Sequence, residues 1–337
     1  MELRGYQSAR EYVEHVARLS LQANKQGAQL IAFPEEITTG LLALLPGFER
    51  LAGSLLAGAA GAEDGAVRER DAETQGEVAE TQGGEQERAG GGALRVADVF
   101  AAVGEPVRRF YERLFSELAR HTGAYLAAGS ANLPLAAYEK DVAAVRGTSS
   151  VGNVAHLFAP DGSLVGKQCK CHLLPLEALW GLVPGADLQT WSLPWGRLCN
   201  PVCMDATYFE TFRIARGQGA DVVIVPTANA EDWNPWTAAR GIWPRVQESQ
   251  VIGVHSCMVG HFLGMHLTGE SAVVAPMEMT PAHDGLLQRW EHPDDEGVVV
   301  ADVDLRALDE VRRQSALGRR LNGAVLEQLL AAYRGEK

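Results

Sequence analysis

Three side chains of different chemistry stand out in this 337-residue sequence. Glu35 and Cys203 each come at the end of an apolar run, and Lys170 lies between them at the end of a predicted strand. A thiol, a carboxylate and an ammonium supply one nucleophile, one base and one cation. That set is sufficient for covalent hydrolysis of a carbon–nitrogen bond.

The chemistry follows from what each group can do. Cysteine attacks carbon as a thiolate, and a free thiol with a pKa of about 8.5 holds little thiolate at neutral pH. Glu35 is the candidate to accept the thiol proton, and Lys170 is the candidate to stabilise the oxyanion of the tetrahedral intermediate. The protonated carboxyl then protonates the leaving amine, and water hydrolyses the thioester.

Each candidate also has a structural alternative. Glu35 suits a solvated loop acid, Lys170 a surface cation, and Cys203 a small core residue, because free cysteine is commonly buried. Cys199 is the rival nucleophile, but it lies inside the apolar run, which favours a core role.

The remaining cysteines raise the question of a metal site. Cys169, Cys171, Cys199 and Cys203 could be combined into a zinc set, but their spacing matches no common Cys-x-x-Cys pairing. The sequence therefore predicts neither a metal nor a cofactor.

Helical and strand patterns alternate along the chain, which predicts an α/β fold. A capping-box pattern at Ser8 opens the first helix, and Pro160-Asp161-Gly162 joins the strands 153–158 and 163–170 into a hairpin. Further strands are predicted at 29–33, 125–129, 197–203, 221–226, 251–259, 271–275 and 297–303, and further helices at 207–217, 240–250 and 305–334.

Length and composition suit a single domain over 1–337. Residues 57–94 are rich in Gly, Ala, Glu and Gln and lack aromatic side chains, so we expect a disordered insertion there.

Charge and cysteine content limit which partners and which cellular compartment we expect. The net charge of −13 and the pI near 5.2 argue against a nucleic-acid partner. No stretch approaches the roughly 20 apolar residues of a membrane span. Five cysteines without a disulfide-like spacing suggest reduced thiols, so we expect a cytoplasmic protein. The partner that we expect is a small-molecule substrate.

The motifs around these residues resemble those of the carbon–nitrogen hydrolase (nitrilase-like) superfamily, amidase-type branch. Phe33-Pro34-Glu35 resembles its glutamate motif, and the segment 166–173 resembles its lysine motif, which selects Lys170 and not Lys167. The segment 203–210, which begins Cys203-Met204-Asp205, resembles its nucleophile motif.

The resemblance implies a four-layer α-β-β-α sandwich, a Glu–Lys–Cys triad without metal, and a homo-oligomer. It also implies a second glutamate that holds the lysine, for which Glu177 is the best match. Members of the family usually open with a strand before the first helix, and here the helix pattern begins almost at once, which leaves open whether that strand is truncated or absent.

Together these observations predict an amidohydrolase that releases ammonia or an amine from a linear amide. The Met204 N–H is a second candidate oxyanion donor, and Asp205 is expected to fix the nucleophile turn. The alternatives are a nitrilase, which usually has Cys-Trp-Glu where this chain has Cys-Met-Asp, and a non-catalytic binding or scaffold protein. Trp233, Trp236 and Trp243 suit either an acyl-binding wall or core and interface positions.

Overall fold

The computed structural model describes residues 1–47, 96–135, 150–262, 264–315 and 322–335. The helices are α1 Ala9–Lys25, α2 Val96–Thr122, α3 Pro175–Leu179, α4 Phe209–Gly217, α5 Pro235–Arg240, α6 Ile242–Ser249, α7 Leu305–Gln314 and α8 Gly323–Tyr333, with 3-10 turns at Thr39–Leu44, Cys203–Thr207 and Met277–Met279. The strands are β1 Glu2–Leu3, β2 Leu30–Ala32, β3 Tyr125–Pro134, β4 Val151–Phe158, β5 Leu164–Cys169, β6 Thr190–Leu193, β7 Gly196–Cys199, β8 Val222–Ala228, β9 Ile252–Phe262, β10 Met265–Leu267, β11 Ala272–Val274 and β12 Leu286–Arg289.

The smaller sheet has the strand order β2-β3-β4-β5. Helix α1 leads into it, and its predicted start is confirmed, because the Ser8 side chain accepts the Glu11 N–H at 3.1 Å. Strand β2 pairs with β3 in parallel, and β3, β4 and β5 are antiparallel. The β4–β5 pair confirms the predicted hairpin, and it places Lys170 directly after β5.

The larger sheet has the order β12-β11-β9-β8-β7-β6, and β1 and β10 also pair with β9. Strands β7, β8 and β9 are parallel, with Leu198 beside Val222 and Val222 beside Ile252. The nucleophile segment and the β8–α5 connection therefore leave the same edge of this sheet, where ligands gather in α/β folds.

The three largest apolar clusters among the described residues join the sheets and helices. The first packs α1 and α2 on the smaller sheet, through residues such as Val16, Phe115 and Leu126. The second packs α4 and α6 on the larger sheet. The third contains residues of both sheets, among them Leu157 and Ile224, so the sheets pack on each other. The α/β class is confirmed, and these contacts are the ones that a four-layer arrangement predicts.

Of the two possibilities at the N-terminus, an absent strand is excluded. Residues Glu2–Leu3 form a short strand before α1, and it pairs in parallel with β9 opposite Val259 and Gly260. The predicted insertion at 57–94 lies outside the described residues.

The predicted strand at 297–303 is also absent. This segment packs Val298, Val299 and Ala301 against the core, but its backbone makes no hydrogen bond to another described residue. It lines a cavity of about 300 Å³, and β2 lines the same cavity. A strand needs a hydrogen-bonded neighbour as well as apolar side chains, and this segment has the packing without the neighbour.

The predicted helix at 240–250 is confirmed as α6, which begins at Ile242, and the separate short helix α5 ends just before it at Arg240. Pro244 explains the break between α5 and α6, because it has no N–H to donate to the Arg240 carbonyl of a continuous helix. In the first turn of α6 the same proline is tolerated, since the N–H groups there have no intrahelical partner.

Candidate active site

Glu35 is buried three residues beyond the end of β2. Its segment lies against β3, where the Phe33 N–H donates to the Ala127 carbonyl at 2.9 Å. Gly129 permits this approach: its φ is +70°, and a Cβ atom there would lie 2.0 Å from the Pro34 carbonyl oxygen. The carboxylate is thereby fixed between the sheets, and the Ala228 N–H of β8 donates to its Oε2 at 2.9 Å.

Lys170 is fully buried, and its ammonium contacts two carboxylates. Its Nζ donates to Glu35 Oε1 at 2.9 Å and to Glu177 Oε1 at 2.8 Å. The other oxygen of Glu177 accepts the Leu174 N–H at 2.7 Å, which fixes this second glutamate at the start of α3. Burial disfavours the charged amine, but Glu35 and Glu177 outweigh that effect and raise the pKa of Lys170.

Cys203 begins the 3-10 turn that follows β7, and its backbone has a φ of +46°. A residue other than glycine in this region is strained, and such strain concentrates at functional sites. Burial raises the pKa of the Cys203 thiol well above 9.0, and the negative charge of Glu35 raises it further, against the opposing effect of Lys170. The charges of Glu35 and Lys170 both act on this thiol, so at neutral pH it is held protonated beside a base and a cation.

The nucleophile turn is tied to the lysine segment by the buried carboxylate of Asp205. This carboxylate accepts the N–H groups of Val202 at 2.9 Å, Cys171 at 3.1 Å and His172 at 2.8 Å. His172 Nδ1 lies 2.8 Å from the same carboxylate, and that hydrogen bond raises the pKa of His172. Asp205 therefore joins the two segments that carry Cys203 and Lys170.

The structure thus brings together the four side chains that the sequence selects: Glu35, Lys170, Glu177 and Cys203. The Met204 N–H lies in the first turn after the thiol and donates to no other described residue. This amide is consequently available to a ligand at Cys203.

Two residues of the site were missed by the sequence reasoning. Asn153 of β4 donates its Nδ2 to Glu35 Oε1 at 2.8 Å, and Ala228 contributes only its backbone. An asparagine inside an otherwise apolar buried strand was a readable signal for the first. No sequence signal marks a backbone donor such as the second.

The rival cysteines lie elsewhere in the structure. Cys199 is buried in β7 and Cys169 is buried at the end of β5, and burial raises the pKa of each thiol to about 12. A raised pKa is common to these thiols and to Cys203, so the difference is one of position: Glu35 and Lys170 act on the Cys203 thiol, and neither acts on Cys199 or Cys169. Within the described ranges, no group of three or more His, Cys, Asp or Glu side chains is arranged to hold a metal ion.

The three tryptophans differ from one another. Trp243 packs against the second apolar cluster, and its indole donates to the Asp284 carbonyl at 2.7 Å, so it fills a core position and anchors a loop. Trp236 of α5 is 80% exposed, and Trp233 is partly buried in the preceding loop.

Comparison with known proteins places this arrangement in a family. The model of the carbon–nitrogen hydrolase family matches residues 3–313, so the chain belongs to that family. It is accordingly a hydrolase of carbon–nitrogen bonds other than peptide bonds. Across the part of the chain that the structure describes, no helix is long and apolar enough to cross a bilayer.

Among curated relatives, the chain is 32% identical to the probable hydrolase YhcX of Bacillus subtilis over 179 residues, which is 51% of this chain and only 33% of that protein. It is 24% identical to the omega-amidase NIT2 of Homo sapiens over 231 residues, which is 65% of this chain and 75% of the relative. Among solved structures, a nitrilase-superfamily amidase from Nesterenkonia AN1 has a TM-score of 0.61 at 19% identity, covering 93% of both chains.

Proposed function

We propose that this protein is an amidohydrolase that cleaves a linear, non-peptide amide through a thioester on Cys203. The proposal rests on one observation above all: the partly buried Cys203 thiol lies beside a buried ion pair of Glu35 and Lys170. A protein that had kept only the fold for binding would not need to bury Lys170 between two carboxylates, since buried charges are costly unless they serve a purpose.

In the first step, the Cys203 sulfur attacks the amide carbon while its proton passes to Glu35. The thiol is protonated at rest, so attack and proton transfer occur together rather than from a preformed thiolate. Glu35 Oε1 accepts from Lys170 and Asn153, whereas Oε2 accepts only the Ala228 N–H among the described residues, so we assign the proton transfer to Oε2. General-base assistance of this kind typically contributes 10²- to 10⁴-fold in rate.

The carbonyl oxygen then becomes an oxyanion, and Lys170 is the proposed stabilising cation. An ammonium has three N–H donors, and the hydrogen bonds to Glu35 and Glu177 occupy two of them. The third is left for the oxyanion, and the Met204 N–H supplies a second donor.

Collapse of the intermediate breaks the carbon–nitrogen bond. The Glu35 carboxyl gives its proton to the leaving nitrogen, so ammonia or an amine departs and Cys203 is left as a thioester. Glu35 then takes a proton from water, the resulting hydroxide adds to the thioester carbonyl, and the carboxylic acid leaves as the thiol is regenerated.

An amide is favoured over a nitrile as substrate. Two relatives that align with 65% and 61% of this chain are named omega-amidases. A variant of the Nesterenkonia amidase, with a TM-score of 0.60 at 20% identity, has been solved in complex with butyramide. The Cys-Met-Asp sequence at 203–205 also departs from the Cys-Trp-Glu of nitrilases.

The test is ammonia release from a panel of linear aliphatic amides, ω-amides of dicarboxylates, carbamoyl compounds and nitriles. We expect release from at least one amide, hydroxamate formation when hydroxylamine is added, and loss of both in Cys203→Ala. Turnover of nitriles alone would establish the nitrilase alternative. Tight binding of a panel member without turnover would establish a binding protein.

We further propose a cytoplasmic homo-oligomer. All five cysteines are free thiols, which suits a reducing compartment. Helix α8 exposes Val325, Leu326, Leu330 and Tyr333, an apolar surface that a second copy would cover. Light scattering on the eluted protein should give a mass of at least two chains, and a monomer at micromolar concentration would contradict this part of the proposal.

A further inference from the structure

Two buried asparagines lie side by side on neighbouring strands below the site. Asn132 of β3 and Asn153 of β4 are register partners, and both are almost completely buried. Each donates its side-chain amide to one of two consecutive glutamates. Asn153 Nδ2 lies 2.8 Å from Glu35 Oε1, and Asn132 Nδ2 lies 2.8 Å from Glu36 Oε1.

The Asn153 contact completes the set of hydrogen bonds on Glu35. Oε1 accepts from Asn153 at 2.8 Å and from Lys170 at 2.9 Å, while Oε2 accepts from the Ala228 N–H at 2.9 Å. The terminal torsion of a glutamate is broad when it is unconstrained. Two donors on Oε1 hold the carboxylate plane, and this leaves Oε2, with its single donor, to take the Cys203 proton.

Asn153 also acts on the lysine segment. Its backbone carbonyl accepts the Lys170 N–H at 2.9 Å, so one residue contacts both the base and the strand end that carries the cation. Lys170 alone would hold Glu35 less firmly, because its flexible side chain is also hydrogen-bonded to Glu177.

The amide has only one suitable orientation. Asn153 Oδ1 is buried and has no hydrogen-bond partner among the described residues. Turning the amide would place that oxygen against the Glu35 carboxylate. An unpaired buried oxygen costs stability, and the hydrogen bond to Glu35 is the one that this side-chain amide makes among the described residues. Asn132 Oδ1 is unpaired in the same way, so the two residues carry the same cost.

We propose that Asn153 is a positioning residue that orients Glu35 to take the proton of Cys203. The proposal deepens the function given above and rests on it for the reaction, but not for the geometry. Asn132 provides a matched control, because it has the same residue type, burial and orphan oxygen and differs in holding Glu36 instead of Glu35.

The variants are Asn153→Leu and Asn153→Ala, with Asn132→Leu and Asn132→Ala as controls. Leucine keeps the approximate shape and removes the donor, and alanine guards against a leucine variant that does not fold. Thermal unfolding is measured for all four. We expect similar losses of stability in both pairs. In the Asn153 pair we expect kcat to fall about ten- to a hundredfold, while KM changes less than about threefold. In the Asn132 pair we expect kcat to stay within about threefold.

A second readout does not need a known substrate. Iodoacetamide labels Cys203 faster when a base accepts the thiol proton, and peptide mass spectrometry reports the rate at this one cysteine. We expect Asn153→Leu to slow this labelling about tenfold in the wild-type background. In a Glu35→Gln background it should have no further effect, because the donor acts through Glu35.

The outcomes separate the two claims. If no amide is hydrolysed but Asn153→Leu still slows labelling only when Glu35 is present, the proposed function fails and the positioning role stands. Equal losses of kcat and labelling rate in the Asn153 and Asn132 pairs would overturn the positioning role. An additive effect of Asn153→Leu in the Glu35→Gln background would overturn it as well.

Discussion

The Lys170 ammonium donates a hydrogen bond to Glu35 Oε1 at 2.9 Å, so the proposed cation and the proposed base of this hydrolase are in contact before any substrate is present. Both side chains are buried, and each neutralises part of the other's charge. Removing either side chain therefore leaves an uncompensated buried charge on the other and also removes a group that the proposed reaction needs.

Lys170→Met should lower both activity and stability. We expect kcat to fall about 10²- to 10³-fold, because one oxyanion donor is lost, and the free energy of unfolding to fall by about 3–5 kcal/mol, because Glu35 and Glu177 lose their counter-charge. Lys167→Met is the control, since it removes the other lysine of the same motif from a partly exposed position. Steady-state kinetics and urea unfolding measure the two effects, and equal kinetic losses in both variants would argue against the assignment.

Glu177→Gln should reduce the rate without abolishing it. Glutamine keeps the shape and one oxygen for the Leu174 N–H, but it withdraws one of the two carboxylates that hold Lys170 charged. Loss of a hydrogen bond to a charged group predicts a fall in kcat of about ten- to a hundredfold. Full activity in this variant would contradict a catalytic role for Glu177 and leave it only the role of capping α3.

Asp205→Asn should loosen the nucleophile turn. The carboxylate accepts the N–H groups of Val202, Cys171 and His172, and an amide has only one acceptor oxygen for them. We expect a loss of about 2–4 kcal/mol in urea unfolding, from the 1–3 kcal/mol that each unsatisfied buried group costs, together with slower labelling of Cys203. Asp187→Asn, at an exposed carboxylate, should leave both quantities nearly unchanged.

Alkaline pH should destabilise the protein through its buried thiols. Burial raises the pKa of Cys169, Cys199 and Cys257 from 9.0 to about 12. In the unfolded chain these thiols ionise near 9, while in the folded chain they stay neutral, so the stability they contribute is complete below pH 9 and is lost as the pH rises towards 12. Each thiol predicts a slope of about −1.4 kcal/mol per pH unit in that window. Cys199→Ala should make the slope shallower by about that amount, and an unchanged slope would contradict the account.

Much of the site could be predicted from the sequence, because its residues lie at strand ends. Glu35 and Lys170 both follow strands that residue patterning identifies, and the hairpin turn at Gly162 fixes the register of the second. Such local signals do not reveal which side chains meet. The contact between Asn153 and Glu35 joins residues 118 positions apart, and the Ala228 N–H carries no side-chain signal at all.

The errors have physical reasons of the same kind. The segment 297–303 has the composition of a strand, yet strand formation depends on a neighbour that composition cannot report. The two-residue strand at Glu2 is too short to give a pattern, and its pairing with β9 exists only in the folded chain.

The thioester on Cys203 is the central claim, and mass spectrometry of protein quenched during amide turnover tests it most directly. With a substrate from the ammonia-release panel, we predict that the peptide containing Cys203 gains the mass of the acyl group. The peptide containing Cys199 should stay unmodified, and Cys199→Ala should still form the adduct. An acyl group on any other residue, or undiminished turnover by Cys203→Ala, would contradict the mechanism.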